Sequence, residues 1–391
     1  MVIRKLQQEF MNQFSSDSKP RVFFAPGRIN LIGEHIDYNG GVVLPAAISF
    51  GTYALVRKRN DSKLRFFSLN FIEDGIIECS LNDLTYDQAH KWANYPKGMI
   101  SVLKDKGYSI TTGFDILFYG NIPNAAGLSS SASLEMVTGV LLKELFKLPI
   151  SLEEIVKSGQ LVENEYIGVN SGLMDQFAVG FGKKDHAILL DCQNLQYEYA
   201  PIKLKEYVII IIHTNKQRAL SESKYNERRA ECENALEDLK EQLDINNLCM
   251  VTPETFEQTK HLIKNDTDRK RAQHVVYENK RTKEAFLRLK EGDIVSFGKL
   301  MNESHHSLQA YYEVTGLELD TIVKSSQSQK GVLGARMTGA GFGGCAIAIV
   351  KKEYTKQFKE NVNKEYVDKV GYNATFYEAT IDDGAREMKG V

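Results

Sequence analysis

Short apolar runs separated by turn residues recur along the first third of the chain: TYALVRK from Thr52, KLRFFSL from Lys63 and FDILFYG from Phe114. Runs of this length and spacing predict strands of a mixed sheet. From Ser131 the period becomes helical, with Leu134, Val137, Leu141 and Leu145 on one face. Ser151, three residues before Glu154 and ahead of Ile155 and Val156, reads as a capping box, which predicts a second helix carrying Glu163 near its end. NSGLMDQ then forms a glycine-containing turn, and YVIIIIH a further strand. Long charged helices follow over about 221–243 and 273–290, and this rise in charge places a domain boundary near Lys203 to Glu206. TGAGFGG, from Thr338, is a glycine-rich turn feeding the strand CAIAIV. In the first third, the segment APGRINLIGEHIDYNGGVVLP, Ala25 to Pro45, falls between strands and is expected to be a loop.

At 391 residues the chain exceeds one ordinary core, so two domains are expected, 1–204 and 205–391. With 42% hydrophobic and 26% charged residues and only 8 prolines, the composition is that of a globular protein. The 49 basic and 51 acidic residues leave a net charge of −2, which excludes a global field for nucleic acid. The longest aliphatic run, Val208 to Ile212, is far too short to span a bilayer, and the start MVIRKLQQEFMNQF is amphipathic rather than a signal core. A cytoplasmic protein is expected, with no membrane contact. Five scattered cysteines without CxxC spacing point to buried, reduced thiols and to no zinc site. Adjacent histidines at 305 and 306 point in different directions from a helix and are read as solvated surface.

GNIPNAAGLSSSASLEM delivers small residues and three serines into a helix start. A lone serine-rich helix start is usually a cap. Three serines after Pro-Asn-Ala-Ala-Gly exceed what capping requires, and free amides at the positive end of a helix dipole make a phosphate site. The P-loop pattern GxxxxGK[ST] is absent, and the glycines at 339, 341 and 344 precede a strand instead of opening a helix, which excludes a dinucleotide fingerprint. Phosphoryl transfer needs a held donor, Mg²⁺, a carboxylate at the acceptor hydroxyl and a cation nearby. Ser131 and Glu163 are candidate oxygen ligands for Mg²⁺, Asp175 the candidate carboxylate, and Arg28 the candidate cation.

GRINLIGEHIDYNGG resembles the galactokinase signature. GLSSSAS and GARMTGAGFGGC are similar to the ATP-binding and third motifs of the wider galacto-, homoserine, mevalonate and phosphomevalonate kinase family. The resemblance runs from Gly27 to Cys345 in the family's order. It implies transfer of the γ-phosphate of ATP to the C1 hydroxyl of α-D-galactose with Mg²⁺, the first step of galactose use. Related sugar-1-kinases, for N-acetylgalactosamine or arabinose, and a non-catalytic galactose sensor are the alternatives. The implied fold is α+β in two domains, the N-terminal one ribosomal-protein-like βαβ and the C-terminal one ferredoxin-like, with the active site in the cleft between them. By the same resemblance Asp175 and Arg28 are catalytic, and Glu34, His35, Ile36, Asp37, Gly172 and Tyr225 bind the sugar. Ala125, Ala126, Gly127, Leu128, Ser129, Ser130 and Ser131 form the phosphate loop, Ser68 lies at the nucleotide, and Ser131 and Glu163 hold the metal. Asn124 and Ala125 stand where leucine and glycine are usual, and Ile36 and Ser171 where threonine and cysteine are common. No obligate protein partner is expected beside the small substrates galactose and ATP.

Overall fold

A computed structural model describes residues 2–15, 18–123, 127–169, 171–216 and 221–390. Helix α1 (Val2–Phe14) precedes strands β1 (Arg21–Asn30), β2 (Val42–Val43), β3 (Pro45–Lys58), β4 (Lys63–Ser68) and β5 (Ile77–Ser80). Helix α2 (Asn94–Asp105) and strand β6 (Phe114–Gly120) follow, then α3 (Ser130–Phe146), α4 (Leu152–Leu161), α5 (Met174–Phe181), β7 (His186–Asp191) and β8 (Tyr197–Pro201). The second half runs β9 (Tyr207–His213), α6 (Ser221–Lys240), α7 (Pro253–Thr259), α8 (Asp266–Glu291), α9 (Ile294–Ser307) and α10 (Gly316–Ser328). It ends with β10 (Val332–Thr338), β11 (Cys345–Lys351), α11 (Thr355–Val370), β12 (Thr375–Ala379) and β13 (Arg386–Glu387).

Six strands form one sheet in the order β13-β1-β3-β6-β4-β5, with only the β4–β6 pair parallel. Helix α1 lays Leu6, Phe10 and Phe14 against one face of it. The other face carries α3, which is buried nearly all round through Ala132, Met136, Val137 and Leu141 and is packed by α2, α4 and α5. A central position, rather than one amphipathic stripe, explains why its apolar residues exceed the single face read from the period. The second sheet, β10-β11-β9-β12, is antiparallel and covered on both faces. Ile209, Ile211, Ile347 and Ile349 meet Phe297 and Met301, while Ile210 and Ile212 lie in the core that holds Leu319, Ile322 and Phe358. Burial on both sides accounts for the unbroken run YVIIIIH. A small third sheet, β2-β7-β8, completes the architecture.

Several expectations change. The segment 25–45 is not all loop: β1 continues through Arg28 to Asn30, the turn occupies 31–41, and β3 starts at Pro45. Helix α8 begins seven residues before Gln273, because Asn265 accepts hydrogen bonds from the amides of Thr267 and Asp268 and caps a first turn with no apolar period. Ser151 caps α4 through the Glu154 amide at 3.1 Å, whereas the Glu154 carboxylate turns to Lys106 at 2.9 Å. His305 is buried, not solvated, and takes the Met337 amide on Nδ1; only His306 is exposed. The cysteines are free thiols, but Cys79, Cys192 and Cys249 are only partly buried. No helix among the described residues is long and apolar enough to cross a membrane.

Candidate active site

Strand β1 ends where the phosphate-loop candidate passes over it, and the amide of Arg28 donates to the carbonyl of Leu128 at 3.2 Å. The Arg28 side chain reaches Asp175, at the start of α5, with Nε to Oδ1 at 2.7 Å and Nη2 to Oδ2 at 2.8 Å. This is the two-pronged geometry that a guanidinium offers a carboxylate. Nη1 of Arg28 donates to the carbonyl of Gly127 at 2.7 Å, and the Ser129 hydroxyl donates to Oδ2 of Asp175 at 2.5 Å. Ser129 is the residue before α3, held at φ 63°, and its side chain makes no capping bond. Its hydroxyl is therefore spent on Asp175, and the amides of the first turn stay open to an anion. Ser130 is exposed and Ser131 half-buried in that turn.

Of these, Arg28 and Asp175 line a cavity of about 240 Å³ together with Glu34, His35, Asp37, Gly172 and Tyr225, and with Gly339 and Ala340 from the turn after β10. Seven residues singled out from the sequence thus meet in one place, although 197 positions separate Arg28 from Tyr225. Gly172 is required by contact: a Cβ there would stand 2.4 Å from Oδ2 of Asp37. Gly339, at φ 85°, brings the turn after β10 against the candidate phosphate loop, its Cβ position lying 3.4 Å from the carbonyl of Gly127. Burial pushes Asp37 up to about 6, helped by the charge of Asp175 and opposed by Arg28.

Glu34 is buried with Arg336, Nη1 to Oε2 at 2.5 Å, and accepts the Gly339 amide on Oε1 at 3.0 Å. Burial raises its carboxyl to about 7 against the pull of Arg336. His35, at φ 62°, is depressed to about 3, first by burial and then by His274. Its tautomer follows from its partners. The carbonyl of Ala340, 3.1 Å from Nε2, can only accept, so Nε2 carries the proton and Nδ1 accepts from the Tyr38 hydroxyl at 2.8 Å. Tyr38 in turn accepts from Tyr312 at 2.8 Å, and Tyr312 from the Cys232 thiol at 3.0 Å. Both ring nitrogens of His35 are engaged within the protein, and its ring lies 5.6 Å from that of Tyr225.

The turn 31–41 is held from behind by a polar face of α8. Glu278 accepts the Gly33 amide at 3.0 Å, Nε2 of His274 donates to the Glu34 carbonyl at 3.1 Å, and Asn279 accepts the Val42 amide at 3.1 Å. Glu278 also takes the Ser304 hydroxyl at 2.5 Å; burial disfavours its charge, but Arg281, His274 and Arg336 draw its carboxyl down to about 2. None of these supports was foreseen. Arg336 carried a signal, a lone arginine entering the third motif, whereas Glu278 and His274 are lost among the many charges of α8.

Other candidates lie elsewhere. Ile36 is fully buried and does not line the cavity; its carbonyl accepts the Gly41 amide at 2.8 Å. Ser68 is buried at the end of β4, bonded to the Asn70 amide at 3.2 Å, and also lies outside the cavity. Ala125 and Ala126, with Asn124, fall outside the described residues. Glu163 is 7% exposed in a π-helical extension of α4, and its carboxylate has no ion-pair partner among the described residues. A nearly buried carboxylate without a cation suits a metal site, and the neighbouring Glu135, fully buried, is pushed up by burial and by the charge of Glu163. Among the described residues no three His, Cys, Asp or Glu side chains form a metal cage.

Family models match the chain in three stretches: the galactokinase galactose-binding signature over residues 8–58, the GHMP kinases N-terminal domain over 94–183 and the GHMP kinases C-terminal over 283–368. A galactokinase from Fusobacterium nucleatum is 54% identical over 389 residues, covering 99% of this chain and 100% of the relative. One from Enterococcus faecalis is 56% identical over 386 residues, covering 98% and 100%. The crystal structure of Lactococcus lactis galactokinase complexed with galactose superposes with a TM-score of 0.96 at 50% identity, covering 99% of this chain and 100% of that one. A Methanococcus jannaschii mevalonate kinase, 19% identical, shares the fold with a TM-score of 0.69 over 94% of this chain and 100% of its own.

Proposed function

The chain belongs to the galactokinases, within the GHMP kinases, and from that membership we propose how its residues divide the work of passing the γ-phosphate of ATP to the C1 hydroxyl of α-D-galactose. The observation that carries the reading is the Arg28–Asp175 pair, seated between the sugar cavity and the open amides of α3. Asp175 accepts or orients the proton of the acceptor hydroxyl. Arg28 holds its carboxylate in place through two hydrogen bonds and meets charge developing on the transferred group. Phosphoryl transfer asks for little covalent help, so holding these groups within hydrogen-bond reach supplies most of what the protein contributes.

Glu34 and Asp37 offer acceptor lone pairs to sugar hydroxyls, Tyr225 closes the wall, and Gly172 leaves room for Asp37. His35 acts through its ring and backbone, since its nitrogens are already bonded. The phosphates of ATP lie along Gly127 to Ser131, with Ala125 and Ala126 completing the loop. Glu163 and the Ser131 hydroxyl are the groups that would hold Mg²⁺, which neutralises phosphate charge when bound. In this reading the sugar lies in a cleft between a ribosomal-protein-like N-terminal domain, 1–204, and a ferredoxin-like C-terminal domain, 205–391. Support comes from the cavity itself, which draws lining residues from both halves. The proposed setting is cytoplasmic, without an obligate protein partner.

The test is ADP release by the purified protein with galactose, glucose, N-acetylgalactosamine and arabinose, alongside Asp175→Asn. Turnover with galactose that falls by about 10²–10⁴ in the variant is the expected result. Galactose binding without turnover in the wild-type protein would overturn the catalytic reading.

A further inference from the structure

The core between α3, α4 and α5 holds a carboxyl group that does not line the sugar cavity. Glu135 on α3 and Gln176 on α5 are both fully buried, and Nε2 of Gln176 donates to Oε2 of Glu135 at 3.0 Å. Oε1 of each is shut off from solvent and has no hydrogen-bond partner among the described residues. A Cβ on Gly159 would stand 3.0 Å from Cγ of Gln176 and 3.2 Å from Oε2 of Glu135, so the backbone of α4 closes directly on the pair. Burying two polar side chains with two oxygens unpaired stabilises a core no better than apolar side chains of the same shape would. What the polar pair adds is a directional tie between two helices.

Both ends of that tie sit beside groups of the active site. Gln176 follows Asp175 in the first turn of α5, about 100° further round the helix, so one side chain enters the core while the other lines the cavity. Leu173, the residue before α5, makes no side-chain capping bond, so the helix start has no polar anchor of that kind. Arg28 and Ser129 grip the carboxylate of Asp175 but not the helix that carries it. At the other end, Glu135 lies one turn beyond Ser131 on α3, the helix whose open amides face the phosphates. We propose that Glu135 is a positioning residue: through its bond to Gln176 it fixes the first turn of α5, and so Asp175, against the helix start that takes the phosphates. The assignment rests on Asp175 being the group at the acceptor hydroxyl.

The experiment compares steady-state kinetics and melting curves of the double variant Glu135→Leu/Gln176→Leu, of Glu135→Gln and of Asp175→Asn with those of the wild-type chain, galactose and ATP being varied in turn. The double variant fills the same space without the tie. It should melt at or above the wild-type temperature, while kcat falls at least about ten-fold and both KM values stay within about three-fold. Glu135→Gln keeps the shape and an acceptor oxygen for Gln176, and should keep kcat within about three-fold. A double variant with the wild-type kcat, one that melts far below the wild type, or a kcat lost equally in Glu135→Gln would each overturn the assignment. Asp175→Asn tests the reading beneath it: if that variant turns over galactose as the wild type does, Asp175 is not the group at the acceptor hydroxyl, and Glu135 has nothing to position.

Discussion

Replacing Gly172 with alanine would set a methyl carbon 2.4 Å from Oδ2 of Asp37, about 1 Å inside an ordinary contact. Asp37 is fixed from behind by the buried turn of residues 31–41, so relief comes from its carboxylate swinging out of the cavity. The loss is that of a hydrogen bond to a charged acceptor, about 1.5–3 kcal/mol, or roughly a ten- to hundred-fold rise in the KM for galactose. The KM for ATP should stay within about two-fold, since the open amides of α3 are untouched. Steady-state kinetics with each substrate varied in turn, plus a melting curve to confirm folding, decides it. A folded variant with an unchanged KM for galactose would show that Asp37 does not meet the sugar.

Three further outcomes follow from the same geometry. Tyr38→Phe leaves Nδ1 of buried His35 without its donor, costing about 1–3 kcal/mol in stability by denaturant unfolding and shifting the Nδ1 nitrogen resonance of His35. Glu278→Ala takes from Arg281 its buried partner, leaves Arg336 to Glu34 alone and frees the Gly33 amide; unfolding should become easier by about 3–5 kcal/mol, with a raised KM for galactose in whatever folds. Asp37, ordinarily near 3.8, is raised to about 6 in the folded chain, so the folded state holds the proton more tightly and its contribution to stability falls as pH rises between these values. The ionised form is the one that accepts from hydroxyls, so kcat/KM for galactose should climb with pH through about 6, and Asp37→Asn should flatten that limb in a pH-rate profile.

How far the sequence carried differs from part to part. Alternating runs and helical periods located β3, β4, β6 and α3, because burial on one face writes itself into residue order, whereas the second half of β1 was read as loop. Helix α8 was mis-started because its first turn carries no apolar period and only the Asn265 cap marks it. The roles of His274, Glu278 and Asn279 stayed hidden because polar residues look solvated until their partners at Glu34, Gly33 and Val42 are seen. For the same reason His305 was misread, since a buried imidazole and an exposed one are spelled alike. Arg28, Glu34, Asp37 and Asp175 were legible as chemistry from their glycine-flanked settings. Their convergence, and the placing of Tyr225 from a charged helix, depended on tertiary contacts and, in advance of them, on family resemblance alone. That resemblance also proposed Ile36 and Ser68, which are buried and do not line the cavity.

The outer edge of the first sheet is finished by the far end of the chain: Phe23 and Phe24 of β1 pair with Glu387 and Arg386, the Met388 amide donates to the Val22 carbonyl at 2.8 Å, and Arg21 grips Glu387 at 2.7 Å. During synthesis, β1 and its partner β3 emerge more than 300 residues before that border strand does. Until it arrives, the strand that delivers Arg28 to the cavity shows a bare row of amides and carbonyls, the kind of rim that recruits other chains. Completion of the sheet thus waits on a segment made more than 300 residues after β1, and clipping near residue 385 would bare that edge without removing any residue that lines the cavity.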